Sequence, residues 1–298
     1  MANGGQNRKF KKYFVDIQIP FFKGSFQKKA IKQQACIMTT FAFPDVALEQ
    51  KIPFDRYRKR KKYLEWSISK NIGRAVADYQ MIQDGDKILV CVSGKKADLA
   101  LLKILFDRKA FVPIRYEILV VYLDQGGLSD SKDFLVQFFK ERNYSFVIKK
   151  RDDFKKEQLS EKRGSRNSHG SHSDDIFFKI AESMGCCKVA LSEHKDDVVQ
   201  RTLENLLFRG TVESLAPLQE VLRNKLTLIR PLIYVEKREI EEWAELNQFT
   251  SLGKEILEPQ SSQQRAIEKI IDQVLKNCPS VKTNISRSLK RIKKDYLL

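Results

Sequence analysis

At 298 residues the chain is long enough to bury a full core, as one large or two modest domains. A formal charge of +17 points to a polyanionic partner. No apolar run nears the roughly 18 residues that span a bilayer, no charged-then-apolar leader opens the sequence, and the five cysteines show no paired framework. Cys186 and Cys187 are adjacent, which strains any mutual bridge, so the expected setting is a reduced cytoplasm without membrane attachment. The charge is uneven: residues 1–70 hold 16 basic and 5 acidic side chains, residues 282–298 hold 6 and 1, and the centre is nearly neutral.

Residues 1–12 are polar, basic and expected to be loose. Residues 13–24 (YFVDIQIPFFKG) alternate like a strand or short hairpin interrupted at Pro20, and 25–55 are irregular, with bends at Pro44 and Pro53. From Arg56 a long helix is expected to about Ile82, because Leu64, Ile68, Ile72, Val76 and Tyr79 recur at helical steps. Its first turns carry Arg56, Arg58, Lys59, Arg60, Lys61 and Lys62, a cationic end suited to nucleic-acid phosphates. Asp84-Gly85-Asp86 then turns the chain into a buried strand, Ile88–Val92.

Ser93-Gly94 follows, and a helix begins near Ala97 with Leu99, Leu101, Leu102, Ile104 and Leu105 as its apolar set. Strand, small-residue turn and helix N-terminus together make an anion site, since unpaired N–H groups and the helix dipole both face the loop. Lys95 and Lys96 stand where flexible glycine is usual.

An apolar strand over Arg115–Leu123 ends in Asp124, before Gly126-Gly127. A helix over 130–142, a strand Tyr144–Ile148, a polar mobile loop at 150–173 and a helix Asp174–Met184 follow. Next come a short strand Lys188–Leu191, a helix from Asp196 to Phe208, a strand over 226–233 broken at Pro231, and an amphipathic helix over 235–247. The part from Gln263 to Lys294 is largely helical, broken at Cys278-Pro279, and ends in a basic run whose Arg287, Lys290 and Arg291 are further nucleic-acid candidates.

Doubly apolar strands alternating with helices predict an α/β fold, a parallel sheet with helices on both faces. Ligands on such sheets bind outside the carboxyl ends of the strands, which directs attention to Ser93–Asp98, Asp124–Gly127 and Ser192–Asp197. The expected organisation is a basic N-terminal extension (1–55), an α/β domain with a leading basic helix (56–250) and a helical basic C-terminal segment (251–298).

Five segments then stand in a familiar order: ADYQMIQDGDKILVCVSGKKADLALLKIL, LVVYLDQGG, MGCCKVALSEHKDDVVQRTLENLLFRG, LIRPLIYVEKREIEEWAE and QQRAIEKIIDQVLKNCP. From about Tyr57 to Ser288 the sequence resembles the PP-loop ATP-pyrophosphatase superfamily, and more closely the tRNA 2-thiocytidine synthetases. The resemblance implies an adenine nucleotide alpha-hydrolase-like fold. It also implies a Ser-Gly-Gly-Lys-Asp-Ser loop around ATP, an aspartate helping to hold magnesium, and adenylation of a tRNA cytidine. Sulfur delivered through a 4Fe–4S cluster on CxxC cysteines then displaces AMP. Adenylation turns a poor leaving group into a good one, and magnesium with fixed amide donors stabilises the developing charge.

Laid on that loop, the sequence keeps Ser93, Gly94 and Lys96, with Lys95 for the second glycine, Ala97 for the aspartate and Asp98 for the last serine. The nucleotide-binding residues implied by the resemblance are Ser93, Gly94, Lys95, Lys96, Asp124, His194 and Arg230. The candidate catalytic carboxylates are Asp98, Asp196 and Asp197. Ala97 cannot bind a metal, and Lys95 adds a side chain where glycine reaches φ > 0; Asp98 is the candidate replacement carboxylate. Ser192-Glu193-His194-Lys195-Asp196-Asp197 replaces Gly-His-His-Arg-Asp-Asp, and its aspartate pair equally suits a helix N-terminus. Arg230-Pro231-Leu232 matches the family's Arg-Pro-Leu.

The first cysteine pair aligns on His169-Gly170-Ser171-His172 and the second near Lys254 and Leu257. His169 and His172 are only a weak metal candidate, and no iron–sulfur cluster is expected without three or four soft ligands. ATP and Mg2+ stay open as cofactors. The favoured reading is a diverged homologue that binds tRNA or another RNA and has lost thiolation. The alternatives are an active adenylating tRNA-modifying enzyme with altered loop chemistry, and a non-catalytic RNA- or protein-binding scaffold; a homodimer is open.

Overall fold

Side chains alternate across a strand, so a β-segment apolar at every position must be covered on both faces. The computed structural model describes residues 54–124, 129–150, 172–221, 226–249, 261–293 and 295. The loose start expected over 1–12, the strand or hairpin expected over 13–24, the irregular stretch from 25 to 53, Gly126-Gly127, nearly all of the 150–173 loop, and Lys254 and Leu257 lie outside these.

In chain order the elements are α1 (Phe54–Asp78), β1 (Lys87–Val92), α2 (Lys96–Arg108), β2 (Glu117–Asp124), α3 (Ser129–Glu141), β3 (Ser145–Lys150) and α4 (His172–Ser183). Then come β4 (Lys188–Ala190), α5 (Lys195–Glu204), a π-helical turn (Asn205–Arg209), β5 (Leu218–Val221), β6 (Leu226–Ile229), α6 (Lys237–Leu246), α7 (Ser262–Leu275) and α8 (Val281–Ser288). The sheet order is β3-β2-β1-β4-β6-β5. Every pairing is parallel except β5 with β6 at the edge.

Alternation in β1 builds both layers. Ile88, Val90 and Val92 join one core with Leu64, Ile68 and Ile72 of α1, Leu99–Leu102 of α2, Phe139 of α3 and Trp243 of α6. Leu89 and Cys91 join the opposite core with Ile176, Phe177 and Ile180 of α4. A small third cluster, Val199 with Ile267 and Ile271, seats α7 on α5. The chain divides into two compact units, Met1–Lys62 and Tyr63–Leu298, the division falling within α1. No helix among the described residues is long and apolar enough to cross a membrane.

Differences from expectation have local causes. α1 stops at Asp78, short of Ile82, because Gln80 takes a positive φ of 50° and the chain reverses, Met81 N–H donating to the Val76 carbonyl at 3.0 Å. Arg115 stays outside β2 because its N–H donates to Asp84 Oδ1 at 2.7 Å, in the turn that starts β1. The helix expected over Asp196–Phe208 changes to a π-helical turn at Asn205 and closes at Gly210, whose φ is 66°. β5 has no apolar run to announce it.

Candidate nucleotide loop and nucleic-acid surface

The loop between β1 and α2 lies at the carboxyl end of the sheet's central strands, as parallel topology dictates. Gly94 has φ +99°, a conformation other residues adopt only at a cost, so this position needs glycine. Lys95 instead has φ −72° and ψ 144°, ordinary extended backbone. A lysine in the family's second glycine position therefore costs no backbone strain. Its side chain is exposed.

Asp98, the third residue of α2, is 3% exposed. Its Oδ2 accepts hydrogen bonds from Ser93 N–H at 2.6 Å, Ser93 Oγ at 2.9 Å and Lys95 N–H at 3.2 Å. Its Oδ1 accepts from Ser192 Oγ at 2.5 Å. The donors of the anion cradle thus converge on a carboxylate built into the loop. Ala97 packs against the core and offers no donor atom. At the end of β2, Asp124 pairs with Lys132 Nζ at 3.2 Å.

The Ser192–Asp197 segment follows β4, and every charged side chain in it is engaged with its surroundings. Glu193 Oε2 stands 3.5 Å from Arg230 Nε, an ion pair too long for a hydrogen bond. Arg230 is 3% exposed and donates from Nη1 to the Ala216 carbonyl at 2.7 Å, fixing the extended segment that precedes β5. Asp197 Oδ2 accepts from the His194 N–H at 2.8 Å, capping α5. The His194 ring Nδ1 lies 3.0 Å from the same carboxylate, off the line of a hydrogen bond. Burial pulls the His194 pKa down, but Asp197, helped by Asp196, outweighs it and holds the imidazole above its usual value.

Asp196 accepts from the Lys237 N–H at 2.7 Å and pairs with Lys282 Nζ at 2.5 Å. Burial pushes its carboxyl upward, yet the Lys237 amide and the Lys282 ammonium prevail and hold it below the ordinary range. Lys195 donates to Glu236 Oε1 at 2.7 Å and to Thr283 Oγ1 at 2.8 Å. Through these contacts the start of α5 clamps the start of α6 and the first turn of α8.

The predicted site residues thus gather in part. Ser93, Gly94, Lys95 and Asp98 lie together between β1 and the first turn of α2, and Ser192 at the end of β4 reaches them through Asp98. His194, Asp196 and Asp197 form the capped start of α5, and Arg230 follows the neighbouring strand β6. His169 lies outside the described residues, as does the side chain of His172, which opens α4. Among the described residues no group of three or more His, Cys, Asp or Glu is placed to hold a metal ion. Ser192 opens the Ser192–Asp197 strand end that the parallel topology marks, although its bond to Asp98 has no signal in the sequence; Lys132, Glu236 and Lys282 carry no signal of their own.

Of the basic candidates, Arg56, Arg58, Lys59, Arg60 and Lys62 are exposed and Lys61 is half-buried, with Lys59 paired to Asp55 at 2.9 Å. Arg287 and Arg291 are exposed. Lys290 is also exposed but partnered on the surface: its ammonium sits 4.4 Å from the Tyr79 ring centre and 5.1 Å from that of Tyr234, donates to the Tyr234 hydroxyl, and stands 3.7 Å from Asp78. On α1, Trp66 is 57% exposed, with Lys70 Nζ 4.7 Å above its ring.

Residues 64–252 match the PP-loop domain family. The chain is 33% identical over 237 residues to a tRNA-cytidine(32) 2-sulfurtransferase of Geobacter sulfurreducens, covering 78% of this chain and 91% of that protein. A protein of the same description from Geobacter metallireducens is 31% identical over 254 residues, with 82% and 93% covered. Among solved structures, the U34-tRNA thiolase NcsA from Methanococcus maripaludis, determined with its 4Fe–4S cluster, superposes with a TM-score of 0.60 at 19% identity, covering 78% of this chain and 79% of that one. That likeness shows the fold. The mostly parallel sheet, the loop after its first strand and these matches agree, and the chain belongs to the PP-loop family, within its tRNA 2-thiocytidine synthetase-like branch.

Proposed function

We propose that this chain is a diverged PP-loop protein that binds tRNA and has given up ATP-dependent adenylation and thiolation. The observation that carries this is the Asp98 carboxylate, buried within the loop and accepting from two amides and two hydroxyls. A phosphate needing the same donors would have to displace a buried anion of like charge, whose bonds come pre-assembled at the N-terminus of α2.

The residues present do not fit magnesium-bound ATP. Ala97 has no ligand atom, Asp98 is occupied by four donors, and Asp124 is paired with Lys132. In this reading an iron–sulfur cluster is lost as well, since the positions that the resemblance gives to its cysteines fall on His169 and His172 and near Lys254 and Leu257, none of which supplies a thiolate. Asp196 and Asp197 act in this reading as structural carboxylates that cap α5 and tie it to α6 and α8.

The RNA half rests on charge and kinship. The excess of +17 gathers toward the two ends of the sequence, and the Arg56–Lys62 run and Arg287 with Arg291 are largely exposed. Relatives named for tRNA modification make tRNA the partner to test first and the cytoplasm the place of action.

The test restores the family loop. Wild type mixed with ATP, magnesium and tRNA should bind RNA and release no pyrophosphate, while the triple variant K95G/A97D/D98S should regain magnesium-dependent ATP binding by calorimetry. Equal, tight ATP binding by the wild type would sink the proposal.

A further inference from the structure

Away from the β1–α2 loop, an open cleft of about 340 Å³ runs between the end of α1, the extended segment before β5, the turn after β6 and the end of α8. No residue of Ser93–Asp98 lines it. Its volume matches a small-molecule or single-nucleotide site.

Two tyrosines form one wall. Tyr79 and Tyr234 have ring centres 6.2 Å apart, and the Tyr234 hydroxyl donates to Asp78 Oδ2 at 2.8 Å. Lys290 bridges both rings, and the Arg74 guanidinium lies 5.1 Å from the Tyr234 ring centre. This collar fixes the tyrosine rings. At the mouth, Val212 and Ile292 are 59% and 46% exposed, large apolar side chains left facing water. Glu213 lines the cleft beside them and accepts from Thr211 Oγ1 at 3.4 Å, giving the lining an acidic, polar edge.

Aromatic and apolar lining, a polar edge and a cationic rim are the features that take an unstacked base: single-stranded RNA is read by stacking on aromatic rings and by bonds to the base edge. Cations dominate the surroundings, with Arg74, Lys290, Arg287 and Arg291 against Asp78 and Glu213. Arg287 and Arg291 are exposed and adjoin in sequence the lining residues Ser286, Lys290 and Ile292, which sets two further cations beside the cleft.

We infer that this cleft holds one unstacked base of a bound RNA, a site separate from the β1–α2 loop. The inference rests on the RNA-binding reading above.

Full-length protein is titrated by fluorescence anisotropy with an RNA hairpin bearing a single-stranded loop, and with a blunt RNA duplex of equal charge. Tyr79→Leu keeps the apolar contact but removes the ring. It should weaken hairpin binding about tenfold, the loss of one stacked base, and leave duplex binding unchanged. Tyr79→Phe should bind like wild type. A Y79L affinity for the hairpin within twofold of wild type, or equal losses for hairpin and duplex, overturns the inference.

A second measurement does not depend on the variant folding. Hairpins carrying 5-iodouridine at successive loop positions should photo-crosslink to Tyr79 or Tyr234 from one position; crosslinks confined to other residues, as when a protein partner occupies the cleft instead, overturn it. Wild type that binds neither RNA would sink the RNA-binding reading itself, a result that precedes any variant and so separates the two failures.

Discussion

Replacing Asp98 with alanine removes, in one step, the acceptor for Ser93 N–H, Lys95 N–H, Ser93 Oγ and Ser192 Oγ. The side chain is 3% exposed, so solvent does not simply take its place. A hydrogen bond to a charged group contributes about 1.5–3 kcal/mol net, and stranding a buried donor costs about 1–3 kcal/mol. Four bonds on one carboxylate share their energy, and the lost desolvation cost of the ion offsets part of it, so the loss resembles a broken buried pair, about 3–5 kcal/mol.

Urea denaturation at neutral pH should therefore show D98A less stable by that amount with an unchanged denaturant slope. The vacated donors should then accept an external anion. Sulfate or phosphate at constant ionic strength should restore about 1.4 kcal/mol to D98A once it reaches roughly tenfold above its dissociation constant, and should leave wild type unmoved. A variant as stable as wild type, or an equal anion response in both proteins, would refute the reading of Asp98 as an internal anion.

Three further outcomes follow from the same geometry. Asp196 has a folded pKa held below 3.8, so its contribution is present above the unfolded value and lost as pH falls through the folded one; acid unfolding of D196N should lack that component, with about 1–3 kcal/mol already lost at neutral pH. His194 has a folded pKa raised above 6.5, so its stabilisation is complete below that value and lost as pH rises through the folded pKa. NMR titration should find the imidazole still charged above pH 6.5, and H194Q should abolish the accompanying slope in stability. Gly94→Ala should cost about 1–2 kcal/mol in thermal unfolding although nothing lies within 4 Å of the added Cβ, because φ of +99° strains any other residue.

The parallel core was legible because strands such as Ile88–Val92 are apolar at every position and the helices between them keep their period. Boundaries moved by a few residues where a turn claimed a backbone group, as at Arg115. The edge strand Leu218–Val221 escaped because it pairs on one side only and needs no apolar run. At the loop, the sequence placed Ser93, Gly94 and Asp98 together but could not show which way Asp98 turns. Its partner Ser192 lies 94 residues on and meets it only once β1 and β4 pair. The Asp196–Lys282 contact is similarly remote, joining the start of α5 to α8 across 86 residues. Lys290 illustrates the reverse limit: a basic run suggests phosphate contacts, yet this lysine is held by Tyr79, Tyr234 and Asp78.

The most direct measurement mixes anaerobically purified full-length protein with ATP, magnesium and tRNA and follows pyrophosphate, protein-bound iron and RNA binding together. The proposed loss of adenylation and thiolation predicts no pyrophosphate above background, no stoichiometric iron, and tRNA affinity that falls steeply as salt rises. Pyrophosphate released in proportion to tRNA, with or without iron, would contradict the loss of adenylation at its root.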